Sequence, residues 1–145
     1  MTIKKTSEVY AACRPKDNSA FARETNDCSV RAFSLALNIP YAEAHALCAK
    51  HGRQYGKGTS WVTSHRVALA YGMHQVLTYN AYAPQGARYP TLAQFIKEHP
   101  KGHFYLIRRG HAFTLIDGVV HDWTHGTGAR SRILRAYKAP EATAC

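Results

Sequence analysis

Long apolar runs are missing from this chain, so no stretch of it is expected to cross a bilayer as a helix. The basic start, Met1-Thr-Ile-Lys-Lys, has no apolar segment behind it; no secretory signal is visible, and a cytoplasmic protein is expected. C-x-x-C spacing is absent too. The four cysteines, Cys13, Cys28, Cys48 and Cys145, therefore fit neither a zinc knuckle nor a thioredoxin-like motif, and at least three are expected as free thiols. The glycine-rich stretch 52–58 contains Lys57 but lacks the phosphate-loop pattern; it reads as an exposed, mobile loop at a cleft edge. Internal repeats and low-complexity tracts are also absent. Acidic residues are scarce, 9 against 19 Lys and Arg, which gives a formal net charge of +10. That surplus attracts anions of many kinds, from nucleic acid to acidic protein surfaces and cell-wall polymers, and says nothing about chemistry.

What is present suits one ordinary domain. A chain of 145 residues that is 46% hydrophobic and 19% charged is globular and can bury a core without disulfides or metal. Residues 1–24 are polar and aperiodic and read as an irregular arm. Asn26 and Asp27 are good caps for a helix that begins at Cys28 and ends at Asn38-Ile39-Pro40. A second helix follows over 41–50, with Gly52 beyond its end. Thr59 or Ser60 caps a third, running to about Tyr71, and 91–99 is a short amphipathic helix stopped by Pro100. Residues 74–79 have strand character, and Ala83-Pro84-Gln85-Gly86 reads as a turn. The C-terminal part is β-rich, with strands over 103–108, 111–116, 119–123 and 132–137. Asp117-Gly118, set between two apolar runs, predicts a two-residue hairpin. Helices first and an antiparallel sheet second give an α+β layout.

A reactive cysteine needs an environment that favours thiolate, and the N-terminus of a helix supplies one. Cys28 falls there, whereas Cys48 lies at a helix's far end. The Asp27 charge, if close, opposes this effect. A nucleophile also needs a base, and the base an orienting group. With a two-residue turn at 117–118, Leu115 faces Val120 and Phe113 faces Asp122. His111 shares the face of Phe113, so His111 and Asp122 become diagonal cross-strand neighbours, roughly 7–8 Å apart at the backbone and within side-chain reach. Phe113, Leu115 and Val120 make that face apolar; a first helix packed on it brings Cys28 to His111.

These residues resemble the papain-like cysteine peptidases. A cysteine opens an N-terminal helix, a histidine follows on a later strand, and an Asp or Asn lies on the next. Gly110-His111-Ala-Phe-Thr-Leu-Ile-Asp-Gly-Val-Val-His-Asp122-Trp123 looks like that superfamily's histidine hairpin, including a Trp soon after the third member. Asn26-Asp27-Cys28-Ser29-Val30-Arg31-Ala32 is similar to small papain-like proteins encoded by bacteriophages. The resemblance covers about twenty residues and implies one papain-like domain over 1–145, without a cofactor. It implies Cys28 as nucleophile, His111 as base and Asp122 as orienting group, acting on a peptide, protein or cell-wall peptide, and a place in the host cytoplasm if the chain is phage-encoded. Papain places an oxyanion-hole glutamine ahead of its cysteine; Ala22 holds that place here. The donors expected instead are the Cys28 N–H and the side-chain amide of Asn26, or else of Asn18.

Two other readings use the same residues. His121 and His125 are spaced as ligands on a helix would be, yet they fall on a strand and the loop after it, so no metal site is expected. Arg108, Arg109, Arg130, Arg132, Arg135 and Lys138 crowd the C-terminal half, and the chain has 9 tyrosines. Basic residues among aromatics suit nucleic acid, but no recognised binding motif accompanies them. A non-enzymatic basic module that grips an acidic host protein or nucleic acid is the alternative to a hydrolase.

Overall fold

The computed structural model describes residues 2–4, 21, 23–77, 89–122 and 126–140. Helix α1 is Cys28–Leu37. Asp27 occupies its N-cap position but makes no side-chain cap. Its carboxylate instead lies 3.0 Å from Arg31 Nε and accepts the Tyr41 hydroxyl at 2.6 Å. The helix stops at Asn38, whose backbone adopts the left-handed conformation that Asn tolerates better than most residues. Pro40 then opens α2, Tyr41–Lys50. In α3, Trp61–Ala70, the Ser60 hydroxyl accepts the Thr63 N–H, and in α4, Leu92–Glu98, Thr91 and Gln94 form a reciprocal capping box.

Six strands form one sheet among the described residues: β1 (Thr2–Lys4), β2 (His74–Leu77), β3 (His103–Arg108), β4 (His111–Ile116), β5 (Val119–His121) and β6 (Arg135–Lys138). Their spatial order is β1-β5-β4-β3-β6-β2. From β5 to β2 every pairing is antiparallel, so the expected α+β layout of helices and an antiparallel sheet is present. The edge differs. The start of the segment read as an irregular arm is a strand, and β1 pairs with β5 in parallel. A three-residue edge strand carries too short a pattern to separate it from loop by sequence. The last strand also begins later than expected, at Arg135, with Arg132 in an isolated bridge to Thr91. The turn expected at 83–86 lies outside the described residues.

The β4–β5 hairpin follows the expected register: Ile116 faces Val119 and Leu115 faces Val120. Asp117 and Gly118 both have positive φ, as a two-residue hairpin turn of this kind requires.

One packing expectation is corrected. Helix α1 does not cover the Phe113–Leu115 face; it lies on the opposite one. Phe33 stacks on Tyr105 with ring centroids 4.0 Å apart, and the Thr114 hydroxyl donates to the Ala32 carbonyl at 2.8 Å. Helix α4 takes the other face, where Phe95 meets Phe104 edge-on at 5.3 Å. The reason is that β4 is interior on both sides: Ala112, Phe113, Thr114 and Leu115 are all buried. A strand buried on both faces has no polar side to exclude, so its pattern does not choose which face a helix takes. Among the described residues no helix is long and apolar enough to cross a membrane.

Candidate active site

Three elements end at one place. Cys28 is the first residue of α1, where backbone N–H groups have no partner within the helix and the dipole favours negative charge. His111 is the first residue of β4, after a turn in which Gly110 has φ 71°. Asp122 directly follows β5. Because His111 sits at the very end of its strand, its ring reaches the head of α1 although that helix lies on the other face of the sheet.

His111 Nε2 lies 2.7 Å from Asp122 Oδ1. The same ring hydrogen-bonds the Cys28 thiol, which leaves Nδ1 for the sulfur. Asp122 is 1% exposed. Burial alone lowers the His111 pKa, but the hydrogen bonds to Asp122 and Cys28, and their charges, outweigh it and raise it to about 9. For Cys28, burial pushes the thiol up. The His111 hydrogen bond, the backbone N–H of Ala112, the imidazolium charge and the backbone N–H of Ser29 together bring it below its ordinary value. Both directions favour a thiolate–imidazolium pair. Asp122 holds the ring's orientation and stabilises its positive form.

Cys28 and His111 line a cleft of about 510 Å³. Ser29, Ser64 and Tyr105 also line it. Tyr105 is fully buried, and burial keeps its phenol protonated. It donates to Ser29 Oγ at 2.9 Å and pairs with Ser64 Oγ at 2.9 Å. Gly58, Thr59 and Trp61 form a further part of its wall.

Sequence reasoning missed what fixes the approach to that wall. The stretch 52–58 is pinned by Glu24, which is 4% exposed. Arg53 grips both Glu24 oxygens, at 2.9 and 3.0 Å. His45 bonds one oxygen, and the Gly56 N–H donates to the other at 2.8 Å. Burial raises the Glu24 pKa, but Arg53, His45 and Gly56 together hold it at about 2. The loop read as mobile is thus tied to a buried ion pair. No spacing joins Glu24 to Arg53, so no sequence pattern announced the contact.

Asn26 lines the cleft, but its Nδ2 donates to the Gly56 carbonyl at 3.1 Å. The observed contact fixes the loop, a task the sequence reading had not given this amide. Cys48 is fully buried, and burial pushes its thiol up to about 12, partly opposed by Arg53. Asn18, Ala22, Cys13, Cys145, Trp123 and His125 lie outside the described residues. Among the described residues no group of three or more His, Cys, Asp or Glu side chains gathers as metal ligands do.

Comparison with known proteins places nothing beside this chain: no family model, no curated protein and no solved structure matches it.

Proposed function

We propose that the protein is a papain-like cysteine hydrolase that cleaves an amide, peptide or isopeptide bond through an acyl-enzyme. The observation that carries this reading is the continuous chain from Cys28 through His111 to Asp122, closed at 2.7 Å on its buried end. The Cys28 thiolate attacks the carbonyl carbon, and the carbonyl electron pair moves to oxygen. The backbone N–H of Cys28, at the head of α1, suits the resulting oxyanion. As that electron pair returns, His111 gives its proton to the departing amine, and a thioester remains on Cys28. Water then adds to the thioester while His111 takes a proton from it. The acid product leaves, and the thiolate–imidazolium pair is restored. A reducing compartment such as the cytoplasm suits the free thiol of Cys28.

Thiol reactivity tests the reading without knowledge of the substrate. Iodoacetamide should alkylate Cys28 at least ~10-fold faster than an ordinary exposed thiol at neutral pH, and His111→Ala should remove that advantage. A peptide vinyl sulfone should label Cys28 alone, as read by intact mass and peptide mapping. Ordinary reactivity at Cys28 would leave a non-enzymatic basic binding module as the better account.

A further inference from the structure

A second cavity, of about 790 Å³, adjoins the cleft and shares Trp61, Ile107 and Gly110 with it. Its remaining lining is distinctive in charge. Arg108, Arg109, Arg132 and Arg135 all face it, and among the described residues that line it none is acidic. We propose that this groove binds an acidic segment of the substrate chain flanking the carbonyl that Cys28 attacks; the proposal rests on the hydrolase reading above.

Three of the four guanidinium groups are held in place by their surroundings. Arg108 Nε donates to Thr127 Oγ1 at 2.8 Å. Arg132 Nη1 donates to the Tyr89 carbonyl at 2.7 Å. Arg135 lies over the Trp61 ring, 4.3 Å from its centroid. The bonds of Arg108 and Arg132 use part of each donor fork, the stacking of Arg135 orients its plane, and less side-chain freedom is lost when a ligand arrives. Four positive groups around one cavity also repel one another, and a ligand carboxylate relieves that repulsion while accepting paired hydrogen bonds.

The arrangement favours a peptide over a nucleic acid. Single-stranded nucleic acid needs open aromatic faces on which bases stack. Trp61 is 57% exposed, but Arg135 already covers one face of its indole. The groove also adjoins the cleft that holds the thiol–imidazole pair, whose chemistry acts on carbonyl carbon. An acidic peptide supplies the negative charge and the carbonyl in one chain.

The test uses the full chain. Arg109 and Arg132 are exposed, so Arg109→Glu/Arg132→Glu should fold, as circular dichroism will check; Arg109→Gln/Arg132→Gln provides a second, milder variant. In the Cys28→Ala background, a labelled oligoglutamate peptide should bind at least tenfold more tightly than its oligoglutamine counterpart. The reversal should abolish that preference, and the Gln pair should weaken it to an intermediate value. Equal binding of the two peptides overturns the proposal, as does tighter binding of an oligothymidine of matching charge. With Cys28 intact, the ratio of iodoacetate to iodoacetamide rates should fall at least threefold on charge reversal, the iodoacetamide rate serving as the reference for any change in the thiol itself. An unchanged ratio places the groove's field away from the sulfur and overturns its role beside Cys28. A Cys28 unreactive toward both reagents, in a chain that still prefers oligoglutamate, sinks the hydrolase reading and keeps the groove's ligand. A reactive Cys28 with no such preference sinks the groove alone.

Discussion

Among the described residues two histidine–carboxylate pairs stand out, and their surroundings differ. His111 meets Asp122, and His45 meets Glu24; in both the ring bonds through Nε2 and the carboxylate is buried. Around Glu24 the positive charge is permanent, because Arg53 grips both oxygens. His45 adds a hydrogen bond there, with its ring among Phe21 and Tyr55. Around Asp122 the bonded partner is a titratable ring whose other side faces a thiol. A histidine bound to a carboxylate is therefore no site by itself. On the proposed reading, the thiol on the other side of the His111 ring is what separates chemistry from scaffold.

Breaking each pair should separate the two roles. Cys28→Ala should lower turnover by ~10³-fold or more while leaving the unfolding midpoint close to wild type. His111→Ala should lower turnover as far and lower the midpoint as well, because it leaves the Asp122 carboxylate buried without the ring. His45→Ala should leave turnover within a few-fold. If His45→Ala proves as damaging to kcat, the contrast fails. Glu24→Ala should have the largest effect on stability, about 3–5 kcal/mol in urea unfolding, because Arg53 then stays buried without its partner. Next comes Asp122→Asn, which keeps an acceptor for the ring but removes the charge. It should lower kcat by roughly 10- to 100-fold and move the alkaline limb of the pH profile down from about 9, since the Asp122 hydrogen bond and charge both raise the His111 pKa.

The pairs also answer pH with opposite signs. The Glu24 pKa is depressed in the folded state, from 4.5 to about 2, so its stabilisation is present above about 4.5 and is lost as pH falls toward 2. The His111 pKa is raised, from 6.5 to about 9, so its stabilisation is present below about 6.5 and is lost as pH rises through 9. Urea unfolding across pH should show both limbs, and Glu24→Gln should remove only the acid one. Asn26→Ala should have the smallest effect, within about 1 kcal/mol of stability and a few-fold in rate, through the lost bond to Gly56. A fall of two orders of magnitude in kcat would instead restore this amide as an oxyanion donor.

The helices and the hairpin were legible because local rules decide them. Ser60, one of two caps the sequence offered, and Asp117-Gly118 act on backbone groups within a few residues, so they could be read directly, whereas Thr91, read as the first helical residue, is the cap of a box it shares with Gln94. The turn in turn set the Leu115–Val120 pairing, and with it the meeting of His111 and Asp122. Asp27 was harder, because its carboxylate went to Arg31 and Tyr41 rather than to the helix start. Local preference names a competent group and does not show which distant partner outbids the nearby one.

From the chain of residues alone came the helix heads, the hairpin register and the selection of Cys28 over Cys48, since each depends on neighbours a few positions away. Only the tertiary structure decided that α1 lies on the Thr114 face, that Glu24 holds Arg53 and the 52–58 loop, and that four arginines gather beside the cleft. Those outcomes turn on which surfaces and charges meet across long stretches of chain, and sequence spacing carries no term for such meetings.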